Sequence, residues 1–300
     1  MKFAVVIVTY NRLSLLNECV ERALSQSYPV EKIVVVNNNS NDGTKEYLDK
    51  YISDSRFHIY NSETNNGGAW GFYKGIEISQ KYNCDYILLI DDDAIIENNF
   101  FEVMDKYINK YSTYDAYSST VYVYKTIDIG HRMNLVNKLF VKFSPVELRK
   151  YNEECFECDT ATFCGLLLKK DLINKIGLPE KDYFIWFDDM EYCLRILQHT
   201  KILNINKAII QHKTIAPFEK APITWKNFYG ERNYLLMVKK HFSFISYSYV
   251  IIRKIAKIFS LKFKCLLYKK NYQYNYKLLC SAIKEALNKN KGTNEEYLPK

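Results

Sequence analysis

The stretch Tyr86-Ile87-Leu88-Leu89-Ile90-Asp91-Asp92-Asp93 joins five uncharged apolar or aromatic residues to three carboxylates. Its first part reads as a strand buried on both faces. Three ionised Asp side chains repel one another and are costly to desolvate, so a positive partner must stand against them. On an extended chain Asp91 and Asp93 project to one side, which leaves Asp92 for another partner. Carboxylate oxygens suit hard divalent ions such as Mg²⁺ or Mn²⁺, which in turn clamp a phosphate. A solvated strand end with helix-capping Asp residues is the plain alternative. The rest of the chain decides between them.

Upstream, strand and helix alternate. Phe3–Val8 is a buried strand, Ser14–Ser25 has helical spacing, Ile33–Val36 is a second strand, and Phe57–Tyr60 a third. A helix runs from the Gly67-Gly68 pair through Gln80 into the Asp-terminated strand. This order predicts an α/β fold with a doubly wound, mostly parallel sheet flanked by helices. Ligands of such sheets sit outside the carboxyl ends of the strands. Those ends here carry Thr9, Asn37-Asn38-Asn39-Ser40, Asn65-Asn66-Gly67-Gly68 and Asp91–Asp93. All are small, polar or acidic, a coherent rim for a nucleotide whose phosphates meet a metal. Gly67-Gly68 lets backbone approach a ligand, and the helix N-terminus after it favours an anion.

Downstream, Asn98–Tyr111 reads as a helix and Ala116–Val123 as a strand. Residues 124–158 lack periodicity and read as an insertion over the site. Thr162–Leu168 is strand-like, and Lys170–Ile176 a short helix. In Tyr183-Phe184-Ile185-Trp186-Phe187-Asp188-Asp189-Met190-Glu191, large aromatics run into carboxylates at a helix start. Capping accounts for one of these acids. Asp188, Asp189 and Glu191 beside Trp186 instead fit a base set against an aromatic wall, working on a sugar hydroxyl. Ile202–Ile210 is a strand ending near His212, whose neutral imidazole would complete an Asp/Asp/His metal site.

Composition narrows the class. Apolar residues make up 48% of 300 residues, enough for a sizeable core. The net charge is +8, but from Lys239 onward 14 Lys and Arg face 3 acidic residues, a tail charge of +11. The basicity therefore describes the tail's partner and not the site. From Val250, an Ile, Phe and Leu face opposes Arg253, Lys254, Lys257 and Lys264, which reads as a membrane-surface helix. Packing of that face on the chain's own domain or in a homo-oligomer is the competing expectation. No nucleic-acid partner is expected, and no apolar run reaches the ~18 residues of a spanning helix. The first residues run straight into a strand, unlike a signal peptide, so the 8 cysteines are expected as reduced thiols.

Five ordered pieces carry a resemblance: Val8-Thr9-Tyr10-Asn11-Arg12, Val36 to Thr44, Asn65-Asn66-Gly67-Gly68-Ala69, Asp91-Asp92-Asp93, and Trp186-Phe187-Asp188-Asp189-Met190-Glu191. Together they resemble the family 2 glycosyltransferases of the GT-A fold, over Phe3 to about Lys213. The resemblance implies a metal-dependent inverting transfer from a nucleotide-diphosphate sugar. It implies that Thr9, Asn11, Arg12, Asn37, Asn38, Asn65, Gly67, Gly68, Lys74, Asp91 and Asp92 hold the donor. Asn37 stands where the family usually has Asp. Asp91, Asp93 and His212 would hold Mn²⁺ or Mg²⁺, Asp189 would be the general base, and Trp186, Asp188 and Glu191 would meet the acceptor. The Asn65–Phe72 and Trp186–Glu191 stretches look most like bacterial galactofuranosyltransferases using UDP-galactofuranose, with rhamnosyltransferases using dTDP-rhamnose as runner-up. A nucleotidyltransferase would need a Gly-rich basic loop that Thr9–Arg12 lacks, and an inactive sugar-nucleotide-binding scaffold would not need both acidic clusters. The expected organisation is a catalytic domain over 1–220 and a basic helical region over 221–300. The expected acceptor is a lipid-linked glycan, met at the inner face of the bacterial plasma membrane.

Overall fold

Seven consecutive buried residues form the central strand β1 (Phe3–Thr9), and their alternation builds both layers of the core. Phe3, Val5 and Ile7 face one helical layer, while Ala4, Val6 and Val8 face the other. The computed structural model describes residues 1–214, 222–268 and 272–299. After β1 come α1 (Leu13–Leu24), β2 (Lys32–Asn37), α2 (Thr44–Asp49), β3 (Phe57–Asn61), α3 (Gly67–Ser79), β4 (Tyr86–Asp91), β5 (Ala94–Ile96), α4 (Phe100–Lys110) and β6 (Ala116–Val123). β7 (Thr126–Ile127), β8 (Arg132–Asn137), β9 (Lys142–Pro145), β10 (Cys155–Cys158), β11 (Thr160–Ala161) and β12 (Leu166–Lys169) follow. The chain continues through α5 (Lys170–Ile176), α6 (Asp188–Ile196), β13 (Ile202–His212), α7 (Lys226–His241), α8 (Phe244–Tyr268) and α9 (Gln273–Leu287).

The main sheet has the order β10-β13-β6-β12-β4-β1-β2-β3. The β4-β1-β2-β3 half is parallel, β13 is parallel to β6, and β12 runs antiparallel between β4 and β6. This is the doubly wound, mostly parallel sheet flanked by helices that the alternation predicts. Helix α3 lies unusually close to β1, because a Cβ at Gly75 would stand 2.2 Å from Val6 Cγ1. Helices α1 and α4 cover the opposite face.

Three expectations are adjusted. The aperiodic stretch 124–158 contains short strands, of which β8 and β9 form a small second sheet with β11. The fully buried Arg132 ties that insertion down by donating to Ser119 O, Cys164 O and Asn204 Oδ1. The strand expected over Thr162–Leu168 forms only from Leu166, because Gly165 takes φ +92 and ends the extended run before it. The basic helix starts at Phe244, six residues before Val250.

Helices α7 to α9 share a hydrophobic cluster with Ala69, Tyr183 and Leu194. The boundary expected at 220/221 lies outside the described residues. Along α8, Ile251 and Ile258 pack inward, whereas Ile252, Phe259, Phe263 and Leu266 are exposed. Lys254 and Lys257 both pair with Glu231 of α7, so they lie on the packed side. Among the described residues, no helix is long and apolar enough to cross a membrane. The eight cysteines are free thiols.

Candidate active site

Register brings the polar strand ends to one edge: Asp91 lies beside Val8, Thr9 beside Asn37, and Asn37 beside Asn61. The three Asp residues then diverge. Asp92 accepts from Thr9 Oγ1 at 2.7 Å and from Arg12 Nη1 at 3.2 Å. The same guanidinium holds Asp93 Oδ2 at 2.6 Å. Arg12 is thus the positive partner that the acidic cluster demands from within the chain. Far along the chain, β13 pairs with β5 so that His212 stands opposite Ala94. This sets His212 Nε2 3.3 Å from Asp93 Oδ1.

Burial and its two acidic neighbours push Asp91 up to about 7. Burial also raises Asp92, to about 6. Asp93 goes the other way: burial opposes its charge, but the hydrogen bond and charge of His212, with Arg12, outweigh it. Among the described residues, Asp93 Oδ1 meets only His212 Nε2, and His212 Nδ1 is buried without a hydrogen-bond partner. Two carboxylates and an imidazole with an idle ring nitrogen fit a divalent cation such as Mn²⁺ or Mg²⁺.

Two cavities meet here. One of 320 Å³ is lined by Thr9, Arg12, Asn38, Asn65, Gly67, Gly68, Asp91 and Asp92 on the sheet side, and by Trp225, Lys226 and Pro299 from the C-terminal region. Asn38 Oδ1 is buried and unpaired, an acceptor left for a ligand. The second, of 270 Å³, is lined by Asp91, Trp186, Asp188, Asp189, His131 and His212 among others. Gly68, Asp91 and Ile185 border both, so they form one bipartite site around Asp91.

The loop before α6 aims its carboxylates. Phe184, Trp186 and Phe187 all take left-handed φ, at 66°, 66° and 68°, a conformation that costs a non-glycine residue energy. The fully buried Asn233 of α7 stabilises it, donating from Nδ2 to the carbonyls of Tyr183, Ile185 and Trp186 at 2.8, 3.0 and 3.0 Å. Asp188 is buried and pushed well up by burial and by Asp189. Asp189 is raised to about 6 by burial and so is charged at neutral pH.

Not every expected residue faces these cavities. Glu191 is fully buried and bound by Arg195, Lys240 and His241 at 2.9, 2.7 and 2.8 Å, a structural ion cluster turned away from the site. Lys74 pairs with Glu77 at 2.6 Å. Asn37 donates to Asn61 Oδ1 and accepts from Ser40 N, behind the cavity wall. Asn11 lines a separate surface groove with Asp42 and Tyr47. Conversely, Trp225, Lys226, Asn233 and His131 were not singled out from sequence. Trp225 and Lys226 open a helix that reads as generic, and His131 lies in the aperiodic insertion.

The pattern of glycosyl transferase family 2 matches residues 4–177, more than half of the chain. This protein belongs to that family. The glycosyltransferase GlyG of Streptococcus pneumoniae is 30% identical over 133 residues, 41% of this chain and 43% of GlyG. The dTDP-rhamnosyl transferase RfbF of Shigella flexneri is 26% identical over 204 residues, 67% of this chain and 64% of RfbF. Among solved structures, GalNAc-T7 with UDP, GalNAc and Mn²⁺ superposes with a TM-score of 0.62 at 16% identity, over 80% of this chain and 48% of that one. Staphylococcus aureus TarS 1–349 in complex with UDP gives 0.56 at 17%, over 79% and 65%. The chain spans less than two thirds of each of these four proteins. The structural likeness establishes the GT-A fold.

Proposed function

We propose that this family 2 glycosyltransferase moves a sugar from a nucleotide-diphosphate donor to a glycan acceptor with inversion at the anomeric carbon. The observation that carries this reading is the bipartite site. Asp91 borders both cavities, His212 lines the second with Asp93 3.3 Å behind it, and Asp189 stands in that second cavity across the junction from the donor side. Asn38 offers its unpaired oxygen to the base, and Arg12 and Lys226 offset charge along the diphosphate. Mn²⁺ or Mg²⁺ held by Asp91, Asp93 and His212 would neutralise the charge that grows on the leaving diphosphate. Asp189, ionised above about pH 6, takes the acceptor hydroxyl proton as that oxygen attacks from the face opposite the diphosphate. Trp186 supplies the apolar wall against which an acceptor sugar lies.

UDP-galactofuranose is the proposed donor, on the resemblance of Asn65–Phe72 and Trp186–Glu191. UDP in the GalNAc-T7 and TarS structures favours the same base. A second reading, dTDP-rhamnose, is favoured by RfbF, whose match reaches 67% of this chain. The exposed apolar stripe of α8 supports a lipid-linked acceptor at the inner face of a bacterial plasma membrane. The proposed organisation is catalytic residues 1–220 followed by this basic helical region.

Incubation with nucleotide sugars, Mn²⁺ and lipid-linked acceptors, following nucleoside diphosphate release, tests the reaction. Release above the acceptor-free control is expected, and none with any donor overturns it. Calorimetry with UDP and dTDP tests the base. Tighter dTDP binding would replace the galactofuranosyl reading with the rhamnosyl one.

A further inference from the structure

We propose that His131, Cys164 and His212 form a second metal site, for a thiophilic divalent ion such as Zn²⁺ or Co²⁺, that competes with the carboxylate site for His212. One ligand atom from each of the three lies within 4.8 Å of the other two. The two imidazole rings meet edge to face at 5.2 Å between centroids. His131 Nδ1 lies 2.6 Å from Thr162 Oγ1. His131 Nε2 stands 3.5 Å from Asp128 Oδ2. The tautomer that donates from Nδ1 to the Thr162 hydroxyl puts the Nε2 lone pair at an ion's disposal, the usual outer-shell arrangement of a ligating histidine, and the Asp128 contact is given up when the ion binds. His212 Nδ1 is buried and lacks a hydrogen-bond partner. Cys164 is buried at the wall of the 270 Å³ cavity, which leaves the fourth coordination position to water.

Ligand chemistry separates this site from its neighbour. Two imidazoles and a thiolate select Zn²⁺ or Co²⁺, whereas Asp91 and Asp93 suit hard oxygen-seeking ions. Binding replaces the Cys164 S–H proton, which leaves to solvent, so one proton is released per ion. A neutral imidazole has one lone pair in its ring plane for a metal, so His212 serves one ion at a time. A thiophilic ion bound at His131 and Cys164 therefore takes His212 from the carboxylates, and donor affinity falls. Neither His131 nor Cys164 has a part in the transfer step proposed above.

Cobalt titration of the full chain without nucleotide provides the test. A thiolate-to-cobalt band in the near ultraviolet should grow to one equivalent. It should vanish in Cys164→Ser, persist in Cys155→Ser, and need at least tenfold more Co²⁺ in His131→Asn. One equivalent of Zn²⁺ should weaken UDP–Mn²⁺ binding tenfold or more in the unsubstituted protein, and leave Cys164→Ser unaffected. Circular dichroism checks that Cys164→Ser is folded, and if it is not, His131→Asn decides alone. No band in the unsubstituted protein, an unchanged band in Cys164→Ser, or unchanged cobalt demand in His131→Asn overturns the site. If UDP–Mn²⁺ fails to bind at all, the donor reading falls while the cobalt band stands.

Discussion

The carbonyl of Phe184 lies so close to Gly67 that a Cβ there would stand 2.1 Å from its oxygen. The next turn of contact is a hydrogen bond from Ala69 N to the same oxygen, at 3.2 Å. The loop that aims Asp189 thus rests directly on the glycine turn that walls the donor cavity. Gly67 also has φ +82, so Gly67→Ala meets both strain and collision. A loss of about 1–3 kcal/mol in unfolding free energy is expected, with nucleotide binding and turnover falling together. Calorimetry and melting of the variant check this. An unchanged Tm would show that the contact is slack.

The two acidic clusters should separate by role. Asp189→Asn should leave UDP–Mn²⁺ binding near normal and cut turnover by a factor on the order of 10² or more. Asp93→Ala should weaken metal-dependent nucleotide binding. Because Asp189 titrates near 6, its charged form is lost as pH falls below that value. Turnover should therefore drop on the acid side of about pH 6, and the Asn variant should lack that limb. A variant that loses donor binding but keeps its rate per bound complex would transfer the base role to Asp188.

Asn233 is expected to act on the loop through its three carbonyl contacts. Asn233→Leu removes the donor to the Ile185 and Trp186 carbonyls, at about 1–3 kcal/mol for each left dry, while Tyr183 O keeps Ile185 N and Arg232 Nη2. Turnover should fall more than UDP affinity, since the donor cavity keeps most of its wall. Asn233→Asp should not restore it, because a carboxylate offers no proton to a carbonyl. Steady-state kinetics with both variants decide the matter.

Glu191 should prove structural. Arg195, Lys240 and His241 outweigh burial and hold it at about 2, against an ordinary 4.5. Its contribution is complete above the ordinary value and is lost as pH falls toward 2. Glu191→Gln should cost about 3–5 kcal/mol near neutrality, and the gap to the unsubstituted protein should narrow in acid. Denaturant melts at pH 7 and pH 3 measure both.

Helix α8 offers a surface test. It is about 37 Å long at 1.5 Å per residue, and Phe259 and Phe263 are 66% and 62% exposed. Replacing both with Ser should leave Tm unchanged and abolish sedimentation with anionic vesicles at low salt. With Lys254 and Lys257 engaged by Glu231, attachment should rely mainly on the apolar stripe, so added salt should weaken it only in part. Equal sedimentation of the Ser variant would remove the membrane reading.

The strands and acid cluster were legible because period-two burial and parallel register leave little freedom. Once β1, β2 and β4 are placed, Thr9 and Asp91 must share an edge. His212 was legible only as a strand-end histidine, since its meeting with Asp93 depends on the three-residue strand β5. Glu191 misled because a carboxylate in a first helical turn looks the same whether it faces a cavity or, as here, three basic side chains from α6 and α7. Lys74 reads as a basic residue near the donor turn, yet helix periodicity turns it toward Glu77. Asn233 was invisible, because nothing in a helical sequence tells which side chain will hold a distant loop.

The chain has three tryptophans, Trp70, Trp186 and Trp225. Trp225 lines the donor cavity, Trp186 the second cavity, and Trp70 follows Ala69 on α3, 5.7 Å from Tyr60. Two of the three indoles therefore report on the site, and Trp70, packed on the core beside Tyr60, contributes a constant background. Ligand entry on the two sides should quench different residues, distinguishable with Trp225→Phe and Trp186→Phe. Rapid mixing of unlabelled protein can then time the arrival of donor and acceptor separately.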